Sequence, residues 1–155
     1  MKENSERERK KQLKKTGIVF DHFYKYLKNK GLKDRSAIRQ TNLIAFFIMN
    51  YFFIYEDNID NILYIYDDTI RKFLGNWYIR KSISPQISEI KSFLRAISNF
   101  FTFLKKEDFI SKEDLQEIKQ VCRDTGWFEM RLKTYFETQE DDFYDWIQEY
   151  NYDYF

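Results

Sequence analysis

The stretch LIAFFIMNYFFIY, from Leu43 to Tyr55, is an apolar and aromatic run that is interrupted only by Asn50. A membrane-spanning helix needs about 20 apolar residues, so this run is too short to cross a bilayer. Because it is apolar on every side, it predicts the central, buried helix of a bundle. The first fifteen residues are highly charged and unlike a signal peptide, which predicts a cytoplasmic protein.

The residues before this run predict two helices separated by a glycine. A helix from about residue 18 to 30 carries an apolar stripe made of Phe20, Phe23, Tyr24 and Leu27. Gly31 ends this helix, because a glycine just past a helix commonly takes the left-handed conformation. Asp34 or Ser36 can cap the next helix, which contains the apolar run.

The residues after the run predict further helices. Asp67 and Asp68 open one, since acidic residues favour the positive end of a helix dipole. Ser84-Pro85 places Ser at a cap and Pro at the first helical position of a long helix. Ser111 resembles the start of a capping box, and Gly126 is predicted to break that helix. Two last helices, 127–137 and 141–150, meet near Thr138.

Composition supports one all-α domain. The chain has 155 residues, 43% apolar and 33% charged, which is enough apolar material for a core. Four Gly and one Pro are too few for the many turns of a β-sandwich or barrel. A single cysteine, Cys122, excludes a disulfide framework and a zinc site built from cysteines. The prediction is a single-domain helical bundle.

Charge is unevenly spread along the chain. Lys and Arg exceed Asp and Glu by eight in residues 1–40, whereas Asp and Glu exceed Lys and Arg by six in residues 123–155. A basic end indicates a nucleic-acid surface, and an acidic end can compete for it. The alternative is that the two ends lie on each other or in solvent.

No candidate catalytic or metal site survives inspection of the motifs. Asp57 and Asp60 are spaced like calcium ligands, but the loop glycine and the distal bidentate Glu of such a loop are missing. His22 has no Ser or Cys partner implied by its spacing, and Cys122 has the position of a core thiol. The cluster of Glu140, Asp141, Asp142 and Asp145 is typical of a solvated helix start. The chain is therefore predicted to be no enzyme and to need no cofactor or metal.

The order of segments from Phe20 to Asp114 resembles the N-terminal core-binding (SAM-like) domain of phage-integrase-type tyrosine recombinases. The shared features are a Gly31-Leu32 turn, a Ser-led helix, an apolar-aromatic helix, an "FL..W" helix and a Ser-Pro-led helix with an "FF.FL" end. The last two are Phe73-Leu74-Gly75-Asn76-Trp77 and Ser84-Pro85 to Leu104. The resemblance implies three segments: a charged, partly frayed helix (1–17), a four-helix SAM-like core (18–110), and acidic, aromatic C-terminal helices (111–155) packed on the core or extending it.

The resemblance also implies that the chain binds double-stranded DNA. In that family the starts of the second and last helices face the duplex. Carried over to this sequence, the DNA-binding residues are Arg35, Ser36, Arg39, Gln40, Lys81, Ser82, Ser84, Gln86, Lys91 and Arg95. Lys and Arg side chains and helix N-termini suit phosphate groups without reference to any family. The alternative for each residue is an ordinary solvated helix surface.

The sequence departs from the family after Ile110. The 45 residues that follow hold no recombinase catalytic set, and the only histidine, His22, lies upstream, so strand cleavage is not expected. The tail is aromatic instead, with Trp127, Tyr135, Phe136, Phe143, Tyr144, Trp146, Tyr150, Tyr152, Tyr154 and Phe155. Such a surface favours protein contacts.

Two functions therefore stay open. The first is a non-catalytic DNA-binding module, which predicts that the basic residues converge on one face. The second is a helical protein-interaction or oligomerisation module without DNA binding. It predicts an exposed aromatic patch on the C-terminal helices, with the Lys and Arg residues scattered and neutralised by acids of the same chain.

Overall fold

The computed structural model describes residues 2–56 and 61–149, without the side chains of residues 2–6 and 8–14. These ranges are helical and contain no strand, so the all-α prediction is confirmed. The α-helices are α1 (Lys2–Asn29), α2 (Asp34–Phe46), α3 (Phe53–Tyr55), α4 (Asp67–Lys72), α5 (Tyr78–Lys81), α6 (Ile87–Lys106), α7 (Lys112–Arg123), α8 (Thr125–Glu137) and α9 (Phe143–Gln148). Short 3₁₀ turns occupy Ile62–Tyr64 and Glu140–Asp142.

Helix α6 is the central element of the bundle. It packs against α1, α2, α7 and α8. Apolar side chains face inward along its whole length, and those that are buried are Ile90, Phe93, Leu94, Ala96, Ile97, Phe100, Phe101, Phe103 and Leu104. The prediction that residues 43–55 form this element is wrong. Ile54 and Tyr55, at the end of that run in α3, are 59% and 48% exposed, because the run continues past the part of α2 that packs on α6.

Two π-helical turns interrupt the aromatic helices and pack on each other. The first (Phe47–Phe52) joins α2 to α3, and the second (Phe73–Trp77) joins α4 to α5. The Phe47 and Phe73 rings stack with centroids 4.7 Å apart, and Tyr51 lies 5.1 Å from Phe73. π turns are rare and often occur at functional sites, so the contact between these two turns indicates a candidate functional region.

The turn between α1 and α2 is the Gly31 turn that the sequence predicts. Gly31 has a φ of 100°, its N–H donates to the Lys28 carbonyl, and the Leu32 N–H donates to the Leu27 carbonyl. This hydrogen-bond pattern is a Schellman motif. The predicted caps are wrong, however, because Lys33 occupies the N-cap without a side-chain hydrogen bond. Asp34 instead accepts a hydrogen bond from the Tyr24 hydroxyl.

The Ser84-Pro85 pair does not start α6, contrary to prediction. The helix begins at Ile87, with Gln86 at the N-cap in an extended conformation. Pro85 is buried, and the Gln86 N–H donates to the Tyr78 hydroxyl at 3.4 Å. These contacts hold residues 82–86 as a bent link from α5 to α6, so Ser84-Pro85 belongs to the link and does not start the helix.

Helices α7, α8 and α9 share the core of the bundle. Ile118, Val121, Phe128 and Trp146 are buried in the same cluster as the α6 side chains. The Ser111 cap is confirmed, since its hydroxyl accepts a hydrogen bond from the Asp114 N–H. The predicted break at Gly126 is wrong.

The break between α7 and α8 falls at Asp124, and Gly126 lies in the first turn of α8. Thr138 does end α8, as the sequence predicts.

A buried arginine fastens α9 to the bundle. Arg131 of α8 is 1% exposed. Its guanidinium donates to the carbonyls of Gly75 and Trp146 at 2.9 and 3.0 Å and to the Glu149 carboxylate at 3.1 Å. Its Cζ lies 3.8 Å from the Trp146 ring centroid. Burial lowers the pKa of Arg131 to about 10, against the opposing effect of Glu149.

Helix α1 runs without a break across residue 17, so the segment predicted for residues 1–17 and the start of the bundle belong to one helix. No helix in the described part of the chain is long and apolar enough to span a membrane. The calcium-like pair Asp57 and Asp60 and the aromatic residues Tyr150, Tyr152, Tyr154 and Phe155 lie outside the described residues.

Candidate nucleic-acid interface

A groove of about 650 Å³ lies between α2, the end of α5 and the first turns of α6. Its lining comes from segments far apart in sequence, and it adjoins the second π turn at Trp77. The lining residues are Arg35, Ile38, Arg39, Asn42, Leu43, Phe46, Trp77, Tyr78, Lys81, Ser82, Glu89 and Phe93.

The apolar part of the groove is a contiguous set of aromatic rings. The Phe46 centroid lies 5.9 Å from that of Phe93 and 6.1 Å from that of Trp77. Phe46 is 38% exposed, whereas Phe93 is buried beneath it. The Trp77 Nε1 is buried and has no hydrogen-bond partner among the described residues, so apolar packing alone holds this indole. Phe46 therefore presents ring surface that is free to stack.

The polar part of the groove is mainly cationic. Arg35 and Arg39 lie one helical turn apart on α2, and Lys81 ends α5. All three side chains are exposed. None of them forms an ion pair with a residue in the described ranges. Against these three cations stands one carboxylate, Glu89, so the lining carries a net positive charge.

Two hydrogen bonds fix the groove walls. Arg39 Nη2 donates to the Ser92 hydroxyl at 3.3 Å, which ties α2 to α6. The Tyr78 hydroxyl donates to Glu89 Oε2 at 2.6 Å, which ties α5 to α6. Burial, together with this contact to Glu89, raises the pKa of Tyr78 to about 12, so the phenol stays neutral at physiological pH. The groove is thus preformed and does not need to be ordered by a ligand.

The structure brings together only part of the predicted DNA-binding set. Arg35, Arg39, Lys81 and Ser82 line the groove. Ser84 and Gln86 lie in the link between α5 and α6. Ser36 is exposed in the first turn of α2 and does not line the groove.

The other three residues are placed elsewhere. The Gln40 side chain accepts a hydrogen bond from Asn99 of α6 at 2.7 Å. Lys91 forms an ion pair with Glu129 of α8 at 3.2 Å. Arg95 follows Lys91 by one helical turn and so lies on the same side of α6, away from the groove. Lys91 is neutralised within the chain, as the protein-interaction alternative predicts, while the three groove cations are not.

The other residues considered for chemistry lie apart from the groove. Burial raises the pKa of the Cys122 thiol to about 12, so it is not a thiolate nucleophile at neutral pH. His22 is exposed on α1 beside Lys25 and Lys106. Within residues 2–56 and 61–149, no three His, Cys, Asp or Glu side chains converge as metal ligands.

No known family model matches the chain, and neither a curated protein nor a solved structure is significantly similar to it.

Sequence reasoning missed the aromatic half of this site. The sequence predicts that Phe46 is buried and assigns Trp77 no ligand, yet Phe46 is exposed and Trp77 is half-buried in the groove. One signal was available in the sequence. A thirteen-residue run that is apolar on every side cannot be covered completely in a bundle this small, so some of its rings must reach the surface.

Proposed function

We propose that this protein is a non-catalytic DNA-binding module that holds double-stranded DNA against the groove face. The observation that carries the proposal is the convergence of Arg35, Arg39 and Lys81 on one groove rim. Lys81 is more than forty residues from Arg35 and Arg39 in sequence. All three side chains are exposed, as contacts to a phosphate backbone require.

The start of α2 supports the same surface. Its N-cap, Lys33, provides no side-chain acceptor for the first N–H groups of the helix. Free N–H groups at a helix start attract anions, and Arg35 and Ser36 lie in this first turn. Asp34 in the same turn opposes an anion at this helix start, although its carboxylate already accepts from Tyr24 and pairs with Lys28. The rim side chains are therefore the main proposed contacts to phosphate. The resemblance to recombinase core-binding domains, which concerns the order of the helices, favours the same face.

The test is fluorescence anisotropy with a labelled duplex of roughly 30 base pairs. Three phosphate contacts predict that affinity falls roughly 40-fold between 50 and 200 mM salt, because each contact releases condensed counterions. Arg39→Ala removes one contact and should lower the salt slope by about one. If no binding is detected even at 50 mM salt, the duplex proposal fails.

A second candidate function, protein interaction, is favoured by a specific surface. Phe136, Phe143 and Tyr144 on α8 and α9 are 65%, 38% and 69% exposed. Trp127, Tyr135 and Trp146, which were predicted as part of the same aromatic surface, are half-buried or buried. The exposed patch is therefore smaller than predicted. It lies on the acidic C-terminal helices, where it suits a protein partner or self-association better than DNA.

We also propose that the protein works in the cytoplasm. Cys122, which is held as a buried free thiol, supports this location. A DNA ligand is consistent with the same compartment.

A further inference from the structure

We propose that the groove receives an unpaired nucleobase of a DNA strand, which stacks on Phe46 while Arg35, Arg39 and Lys81 hold the adjoining phosphates. This inference rests on the proposed function, since it uses the same cations. It goes beyond that function because it assigns the aromatic half of the groove a ligand, and it predicts a preference for strands with bases that are free to leave the stack.

The shape and chemistry of the groove carry this inference. A flat, regular duplex surface would touch the rim cations and leave the concavity empty. The volume of about 650 Å³ falls in the range of roughly 300–1,000 Å³ that is typical of sites for compact organic ligands. Its wall presents the exposed Phe46 ring, backed by Phe93 and Trp77. Aromatic rings beside a cationic track are how proteins hold single strands.

The polar residues inside the groove suit a base rather than an apolar side chain. Asn42 and Glu89 both line it and are exposed. An amide can bond two atoms of a base edge, and a carboxylate can accept from a base N–H, either an exocyclic amino group or the ring N3–H of thymine. An apolar peptide would offer no polar contact to Asn42, Arg35 or Lys81, whereas Glu89 and Arg39 already bond Tyr78 and Ser92. Charge complementarity therefore favours an anionic strand.

The experiment compares three labelled probes with the full chain: a twelve-nucleotide thymidine strand, a strand of the same length with abasic sites at its centre, and the duplex. Stacking of one base on a protein ring accounts for roughly 5- to 150-fold in affinity. We expect the base-bearing strand to bind at least about tenfold more tightly than the abasic strand. Phe46→Leu keeps the apolar volume but removes the ring, so it should abolish this difference.

Phe136→Leu is the matched control, because Phe136 is 65% exposed on α8 and does not line the groove. It should leave the base preference unchanged.

Equal binding of the two strands, or equal effects of the two Phe variants, would overturn the inference. If the duplex still binds in a salt-dependent way, the proposed function stands. If neither strand nor duplex binds, both fail. Full displacement of the strand by free thymidine monophosphate at equal nucleotide concentration would assign the groove to a free nucleotide and overturn the strand assignment.

Discussion

Arg131 shows at the residue scale how a charged group can be part of a core. Its guanidinium donates hydrogen bonds to two backbone carbonyls, those of Gly75 and Trp146. Arg131 follows Trp127 by one turn of α8. Gly75 has no side chain and so leaves space for the Trp127 ring. A Cβ at Gly75 would lie 2.5 Å from Trp127 Cζ3. The core of the C-terminal half therefore depends on one small residue, one ring and one cation together.

Replacing Arg131 should be strongly destabilising. Arg131→Met keeps most of the side-chain volume but leaves both carbonyls and Glu149 without their donor. We expect the free energy of unfolding to fall by about 2 to 4 kcal/mol, measured by urea denaturation, mainly because the two carbonyls lose a charged donor, while Glu149 is 66% exposed and adds little. Lys133→Met on the same helix is the control, since Lys133 is 75% exposed and its contact with Glu137 is 4.0 Å long. It should change the free energy of unfolding by less than about 0.5 kcal/mol, and comparable losses in the two variants would disprove the role of Arg131.

Cys122 should make stability depend on pH in the alkaline range. Burial raises its pKa from 9.0 to about 12. A group whose pKa is higher in the folded state contributes stability that is fully present below the unfolded pKa and is lost as pH rises toward the folded pKa. Between pH 8 and 10, this thiol should therefore remove about 1 kcal/mol from the free energy of unfolding. In Cys122→Ala that part of the pH dependence should be absent, so parallel curves for the two proteins would contradict the burial argument.

At the scale of elements, helix boundaries that depend on neighbouring residues follow the sequence, and those that depend on tertiary contacts do not. The Gly31 turn and the Asp67 helix start were predictable because a few neighbouring residues determine them. Ser84-Pro85 gives the same kind of local signal, but the helix start that it predicts is wrong. Burial of Pro85 and the hydrogen bond to the Tyr78 hydroxyl, both tertiary contacts, determine its conformation instead.

Two glycine substitutions test this account of the helix boundaries. Gly31→Ala places a side chain at a φ of 100° with open space around it, so only the backbone conformation opposes it. We expect a loss of about 1 to 2 kcal/mol in the free energy of unfolding. Gly126→Ala lies inside the first turn of α8 and also meets no neighbour, so it should gain about 0.5 to 1 kcal/mol. Thermal melts of both variants measure the signs, and a loss at Gly126 would argue against its helical placement.

At the scale of the whole molecule, the sequence predicted the fold class and the cationic half of the site, but not the groove. The helical periodicities and the single buried cluster agree, so the bundle could be foreseen. The approach of α2 and α5 to one groove could not be foreseen. It depends on the π turns that follow α2 and precede α5, whose rings stack on each other. The same packing separates Lys91, paired with Glu129, from Arg35 and Arg39. Charge counted along the sequence could not distinguish these cations.

This separation provides the most direct test of the central claim, that the groove face binds DNA. Two double variants carry the same change in net charge: Arg35→Glu/Arg39→Glu at the groove, and Lys91→Glu/Arg95→Glu on the other side of α6. Both are titrated with the duplex by anisotropy across 50 to 200 mM salt, after circular dichroism has shown that both are folded. The claim predicts that the groove variant loses at least about tenfold in affinity and about two in salt slope, while the control keeps the slope of the unmodified protein. Equal losses in the two variants, or a greater loss in the control, would contradict it.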